Sequence, residues 1–295
     1  MTDPKMRDQI ASGQGFIAAL DQSGGSTPGA LKGYGVAEDA YSTDEEMFSL
    51  IHDMRSRIIT SPCFSGEKVI GAILFERTMD GEAGGQPVPQ ALWSRGVVPF
   101  LKVDKGLEDE ADGVKLMKPM PELDALCERA VAKGIFGTKM RSVIERASPT
   151  GIAAIVAQQF EVAAQISAHG LMPIIEPEVS IKSPERGECD AILRAEILKS
   201  LDALPEGEQV MLKLTLPETP NLFAPLVDHP RVLRVVALSG GFSREEACRQ
   251  LAQNRGVIAS FSRALLSDLR HQMSDDEFDA SLGSAIDDIH SASVA

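Results

Sequence analysis

The chain has 295 residues, 43% of them hydrophobic, and 43 acidic against 29 basic side chains give a net charge of −14. A chain of that size buries a substantial core, and its acidic balance argues against nucleic acid or an anionic membrane as a partner. No apolar run is long enough to span a bilayer.

The four cysteines, Cys63, Cys127, Cys189 and Cys248, stand far apart without a CxxC pair and look like reduced thiols. The five histidines (His52, His169, His229, His271 and His290) make no HxxH or HExxH spacing, so no metal site is expected. The start, Met1 to Ile10, is polar and has no apolar signal-peptide core, which leads to the expectation of a cytoplasmic protein.

In chain order, the first predicted strand is Phe16–Leu20. A capping box from Thr43 to Glu46 opens a helix over Asp44–Ile58, followed by a strand over Val69–Phe75. Pro89–Ser94 leaves room for only a short helix before the strand Val98–Val103. Helix Pro121–Lys133, strand Gly134–Met140, helix Gly151–His169, strand Met172–Glu178 and helix Arg186–Leu204 follow in alternation. Strand Val210–Leu216, a short helix in Pro220–Val227 and strand Val232–Leu238 come next. A box from Ser243 to Glu246 opens Arg244–Asn254, Val257–Ser262 is the last strand, and Ser274 with Glu277 caps Asp275–Ile289. The strands are nearly continuous apolar runs, as in parallel sheets covered on both faces. Eight of them alternating with helices predict a single-domain (β/α)8 TIM barrel over residues 1–295.

In such a barrel the chemistry gathers where strands end. The first strand leads into Asp21 and the turn Ser23-Gly24-Gly25-Ser26, and the third into Asp104-Lys105. The fourth carries Lys139 and Arg141, which share a face, as do Glu176 and Glu178 on the fifth. Lys213 lies within the sixth among apolar neighbours. Desolvation penalises an ammonium there, and a second cation such as Lys139 penalises it further, which favours a nucleophilic amine. Glu176 is placed to shuttle the protons of carbinolamine formation and dehydration. Ser239-Gly240-Gly241 after the seventh strand and Arg263 after the eighth fit a phosphate site of backbone N–H donors and a guanidinium. Lys105, Arg141 and the Ser23–Ser26 turn would hold a second anion.

Each of these residues alone has an ordinary explanation. A strand lysine is more often at an edge, Ser-Gly-Gly is a common turn, and Asp104-Lys105 reads equally as a local ion pair. Together they place ionisable groups at six of eight strand ends, where buried charge is expensive, and that concentration points to an enzyme.

The chain resembles the class I fructose-bisphosphate aldolases, in the shorter bacterial branch. The segments that carry the resemblance run from Ala19-Leu20-Asp21-Gln22-Ser23 to Ser262-Arg263-Ala264-Leu265. Between them lie Ile73-Leu74-Phe75-Glu76, Val103-Asp104-Lys105-Gly106, Lys139-Met140-Arg141, Pro173-Ile174-Ile175-Glu176-Pro177-Glu178 and Leu238-Ser239-Gly240-Gly241, in matching order.

The resemblance implies that Lys213 forms a Schiff base with the substrate ketone and that Glu176 is the acid/base of imine chemistry. It makes Asp21 the carboxylate that takes the C4-hydroxyl proton, and Lys139 the cation that sustains charge separation. Glu178 would order the neighbouring lysines. Ser239, Gly240 and Arg263 would hold the C1-phosphate; Lys105, Arg141, Ser23 and Ser26 would lie near the C6-phosphate. It further implies a sugar bisphosphate as partner, no cofactor, and a homo-oligomer. Two other functions fit the same residues: an aldolase preferring sedoheptulose 1,7-bisphosphate, and a sugar-phosphate-binding barrel without chemistry.

The chain departs from the family pattern in three places. Longer eukaryotic members end in a tail with a terminal tyrosine used for enamine proton exchange. This sequence ends Ser291-Ala292-Ser293-Val294-Ala295, with Tyr34 and Tyr41 its only tyrosines, so that role is unassigned. Lys213 is followed by Leu214-Thr215 in place of Pro-Asn, and Ser262 stands where a glycine precedes the arginine.

Overall fold

A computed structural model describes residues 3–295. All eight predicted strands form: β1 (Phe16–Leu20), β2 (Val69–Leu74), β3 (Val98–Lys102), β4 (Gly137–Ile144), β5 (Met172–Val179), β6 (Val210–Thr215), β7 (Val232–Leu238) and β8 (Val257–Ala259). They pair in parallel in sequence order. The amide of Ala19 donates to the carbonyl of Phe261 at 3.1 Å and closes β8 onto β1. The result is a (β/α)8 barrel.

β4 differs most from expectation, starting three residues later and running to Ile144. At its start, Gly134 (φ 80°) ends the preceding helix, and the Ile135 amide bonds back to Ala130. Its far end is lengthened because Val114–Lys115 pairs antiparallel against Val143 and Ile144. β8 is shorter than expected: the chain turns at Ser262 (φ −108°, ψ −80°) into the short helix Arg263–Leu266.

The outer helices follow the predicted boundaries to within a few residues, as Asp44–Thr60, Leu123–Ala132, Pro149–Ala168, Arg186–Asp202, Arg244–Leu251 and Asp275–Ser293. The boxes at Thr43/Glu46 and Ser274/Glu277 form in full. At Ser243 only half the box exists. The hydroxyl accepts from the Glu246 amide, but the Glu246 carboxylate is bound by Arg249 and Gln250.

Among the described residues, four α-helices escaped the sequence reading: Pro4–Ser12, Thr27–Gly33, Glu76–Asp80 and Arg263–Leu266. The first matters most for the architecture. Asp3 caps it, a proline sits in its first turn, and its apolar positions Met6 and Ile10 lie one turn apart. They enter the lower bore of the barrel and pack with Ile17, Ile70, Val98, Phe100, Phe136 and Met172. Burying Ile10 there contributes about 2 kcal/mol. A larger apolar layer lies outside the strands, between them and the helices. No helix among the described residues is long and apolar enough to cross a membrane.

Candidate active site

Alternation along each strand decides what faces the bore. On β3, β5 and β6 the inward positions include Phe100, Ile174 and Met211 and continue, one pleat higher, as Lys102, Glu176 and Lys213. The lower bore is therefore packed apolar, and the upper bore is ionic. Above that layer opens a cavity of about 920 Å³, large enough for a small-molecule ligand.

Lys139 is the hub of the layer. Only 2% exposed, its Nζ lies 2.7 Å from Asp21 Oδ2, 2.9 Å from Glu176 Oε2 and 4.0 Å from Asp104 Oδ2. Lys213, 4% exposed, places Nζ 2.9 Å from the other oxygen of Glu176, Oε1. Glu176 thus spans two ammonium groups. Its Oε2, in ionic contact with Lys139, is buried and accepts no well-aligned hydrogen bond.

Burial alone would raise the Asp21 carboxyl, but the ammonium groups of Lys139 and Lys213 outweigh it and hold Asp21 well below the usual range. Burial pulls Glu176 upward as well, and the same two ammonium groups bring it below its ordinary value. For Lys139, burial works downward, and the charges of Asp21, Glu176 and Asp104 carry it above a normal lysine. Both carboxylates are therefore ionised and Lys139 is a fixed cation.

Supports outside the barrel keep these groups in place. The buried side chain of Gln159 accepts from the Glu176 amide at 2.9 Å and donates to the Ser142 hydroxyl, tying β4 to β5. Above, the Thr215 hydroxyl donates to the Val179 carbonyl at 2.8 Å and accepts its amide at 2.9 Å, joining β6 to β5.

Around the rim, Ser239 and Gly240 line one side of the cavity with Arg263. Gly240 has φ 60°, and a Cβ there would meet the Ile181 side chain at 2.6 Å, so only glycine fits. Gly241 lies behind them, close to the Arg263 guanidinium. Arg141 Nε pairs with Glu178 Oε2 at 2.5 Å at the opposite wall. Ser23 and Ser26 face the cavity, but the Ser26 hydroxyl donates to the Ser23 carbonyl at 2.9 Å and accepts the Ser23 amide.

The structure separates one expected residue from the rest. Lys105 turns outward and pairs with Glu76 at 2.8 Å, where Arg129 also binds the same carboxylate. The inward cation of this segment is Lys102, which lines the cavity and contacts Asp104 Oδ1 at 2.6 Å. Parity carried that signal: Lys102 is two residues from Phe100 and two from Asp104, on one face, whereas Lys105 falls on the other. Sequence reasoning also missed Arg55 and Ser260. Arg55, from helix Asp44–Thr60, is buried behind Asp21, and burial pulls its guanidinium down to about 10. Ser260 is buried at the cavity wall with a hydroxyl that has no partner.

The mouth of this barrel thus holds a buried lysine against a carboxylate and a second lysine bridging two acids, the residue types that nucleophilic amine chemistry requires. The family model for fructose-bisphosphate aldolase class-I matches residues 5–222, and the chain belongs to that family. Among solved structures, a Plasmodium falciparum fructose-bisphosphate aldolase, in complex with TRAP and a small-molecule inhibitor, superposes with a TM-score of 0.80 at 20% identity. The match covers 98% of this chain and 93% of that one. A Corynebacterium glutamicum protein gives a TM-score of 0.55 at 13% identity, covering 98% and 92%. At these identities the two superpositions speak for the shared barrel. The family match makes the chain an aldolase, a lyase acting on a sugar phosphate.

Proposed function

We propose that the protein reversibly cleaves fructose 1,6-bisphosphate to dihydroxyacetone phosphate and glyceraldehyde 3-phosphate through an imine on Lys213. The observation that carries this reading is the chain of contacts Lys213–Glu176–Lys139–Asp21 at the floor of the cavity. A proton passing from Lys213 Nζ to Glu176 frees the amine to attack the C2 ketone. Glu176 then returns a proton to the carbinolamine oxygen, which leaves as water and gives the iminium. Asp21, held ionised, takes the C4-hydroxyl proton as the C3–C4 bond breaks and its electron pair moves into the iminium to form an enamine. Lys139 stays charged throughout and offsets the negative charge of both acids.

Ser239, Gly240, Gly241 and Arg263 form the site for one phosphate. Lys102 and Arg141, with Ser23, form the site for the other; the outward pairing of Lys105 leaves it a rim charge. No cofactor enters this scheme, because the iminium is the electron sink. The four free cysteines support a reducing, cytoplasmic setting.

Turnover measured with excess EDTA, with and without borohydride in the presence of dihydroxyacetone phosphate, tests the reading. Expected are EDTA-insensitive cleavage and a reduced adduct on Lys213, with both turnover and adduct lost in Lys213→Met. Activity abolished by EDTA would overturn the mechanism. Higher kcat/KM on sedoheptulose 1,7-bisphosphate would change the substrate and keep the chemistry.

A further inference from the structure

Gln22 follows Asp21, and its side-chain amide reaches two other parts of the barrel mouth. Nε2 donates to Ser262 Oγ at 2.6 Å and to the Ala19 carbonyl at 3.2 Å. Oε1 accepts from Arg55 Nη2 at 3.2 Å, and the same nitrogen binds the Gln22 main-chain carbonyl. Arg55 is 1% exposed, and its Nη1 donates to Thr78 Oγ1 at 2.8 Å. All these acceptors are neutral. The charge of Asp21 nearby offsets only part of the cost of burying this guanidinium, so Arg55 spends its hydrogen bonds on fixing the Gln22 side chain and main chain.

This chain of contacts ends at Ser262 Oγ. A serine hydroxyl has one proton and two lone pairs. Accepting from Gln22 occupies a lone pair of Ser262 and leaves its O–H to point elsewhere. Ser262 lines the cavity beside Arg263, Ser239 and Gly240. We infer that the Ser262 hydroxyl donates to the phosphate held by Arg263, and that Gln22, fixed by Arg55, is the positioning residue that aims it. The inference rests on the sugar-bisphosphate reading for the identity of the anion.

The test uses the full chain as wild type, Ser262→Ala, Gln22→Ala and the double variant. Two constants are read: the Kd for inorganic phosphate by calorimetry, and KM for fructose 1,6-bisphosphate. Loss of one hydrogen bond to a charged group predicts about a 10-fold rise in both for Ser262→Ala, with kcat within about threefold. Gln22→Ala is expected to raise them about fivefold, and to add less than about twofold in the Ser262→Ala background, because it acts through that hydroxyl. Phosphate and substrate constants within twofold of wild type for Ser262→Ala overturn the inference, as does an additive double variant. General loosening of the site would instead lower Tm and kcat together in Gln22→Ala, which also overturns it. Borohydride trapping on the wild type reports on the functional reading alone. A phosphate Kd that responds to Ser262→Ala without any Lys213 adduct sinks that reading and keeps the anion contact, and the opposite pair of results does the reverse.

Discussion

At the barrel mouth, Asp21 and Glu176 are buried against two ammonium groups. On the flank, under helix Arg186–Asp202, Asp190 is fully buried with no cation in contact among the described residues. The consequences are opposite. The mouth carboxyls are held below their ordinary values, whereas burial pushes Asp190 up to about 7, the Glu218 amide and the charge of Arg186 offsetting only part of that cost. Depth of burial therefore does not decide whether an acid is charged; its partners do. At neutral pH the mouth acids are fully ionised, whereas Asp190 is divided between its neutral and charged forms.

Removing the central cation is the strongest way to break this comparison. Lys139→Met leaves two acids facing each other with one ammonium, and a fall in kcat of at least about 100-fold is expected. Unfolding should cost about 3–5 kcal/mol less at pH 7. The sign with pH follows from the lowered values. In the wild type, the stability from Asp21 and Glu176 is fully present above their ordinary values of 3.8 and 4.5 and is lost as pH falls through the folded values. Denaturant titrations should thus show the gap between variant and wild type narrowing below about pH 4. A gap that widens in acid would mean that the acids are not ionised by Lys139.

On the flank the expected change has the other sign. A folded value of about 7 makes Asp190 a liability that grows from its ordinary 3.8 upward. Asp190→Asn should stabilise the protein by up to about 4 kcal/mol at pH 8 and by almost nothing near pH 4. Equal stability of the two proteins at pH 8 would refute the idea that burial neutralises this acid.

Two lysines of one segment sharpen the contrast between inward and outward charge. Lys102→Ala should raise KM for the bisphosphate by about 10-fold, the worth of one charge-assisted contact. Lys105→Ala, smallest of all, should change KM less than about twofold and stability by no more than about 1 kcal/mol, because it removes an exposed pair with Glu76. The reverse ranking would return Lys105 to the site.

What the amino-acid order determined by itself were the features that depend on near neighbours. The eight apolar runs, the caps at Thr43 and Ser274 and the shared faces of Lys139 with Arg141 and of Glu176 with Glu178 all follow from local periodicity and hydrogen bonding. Short helices such as Thr27–Gly33 and Arg263–Leu266 were not legible, because so few residues carry no period and their stability comes from packing. Tertiary structure alone decided that Pro4–Ser12 fills the lower bore, that Lys102 and not Lys105 faces the cavity, and that Arg55 reaches Gln22 across 33 positions of sequence. Those outcomes depend on which strand lies beside which and on the direction of a side chain at closure. No sum of local preferences along the chain contains that information.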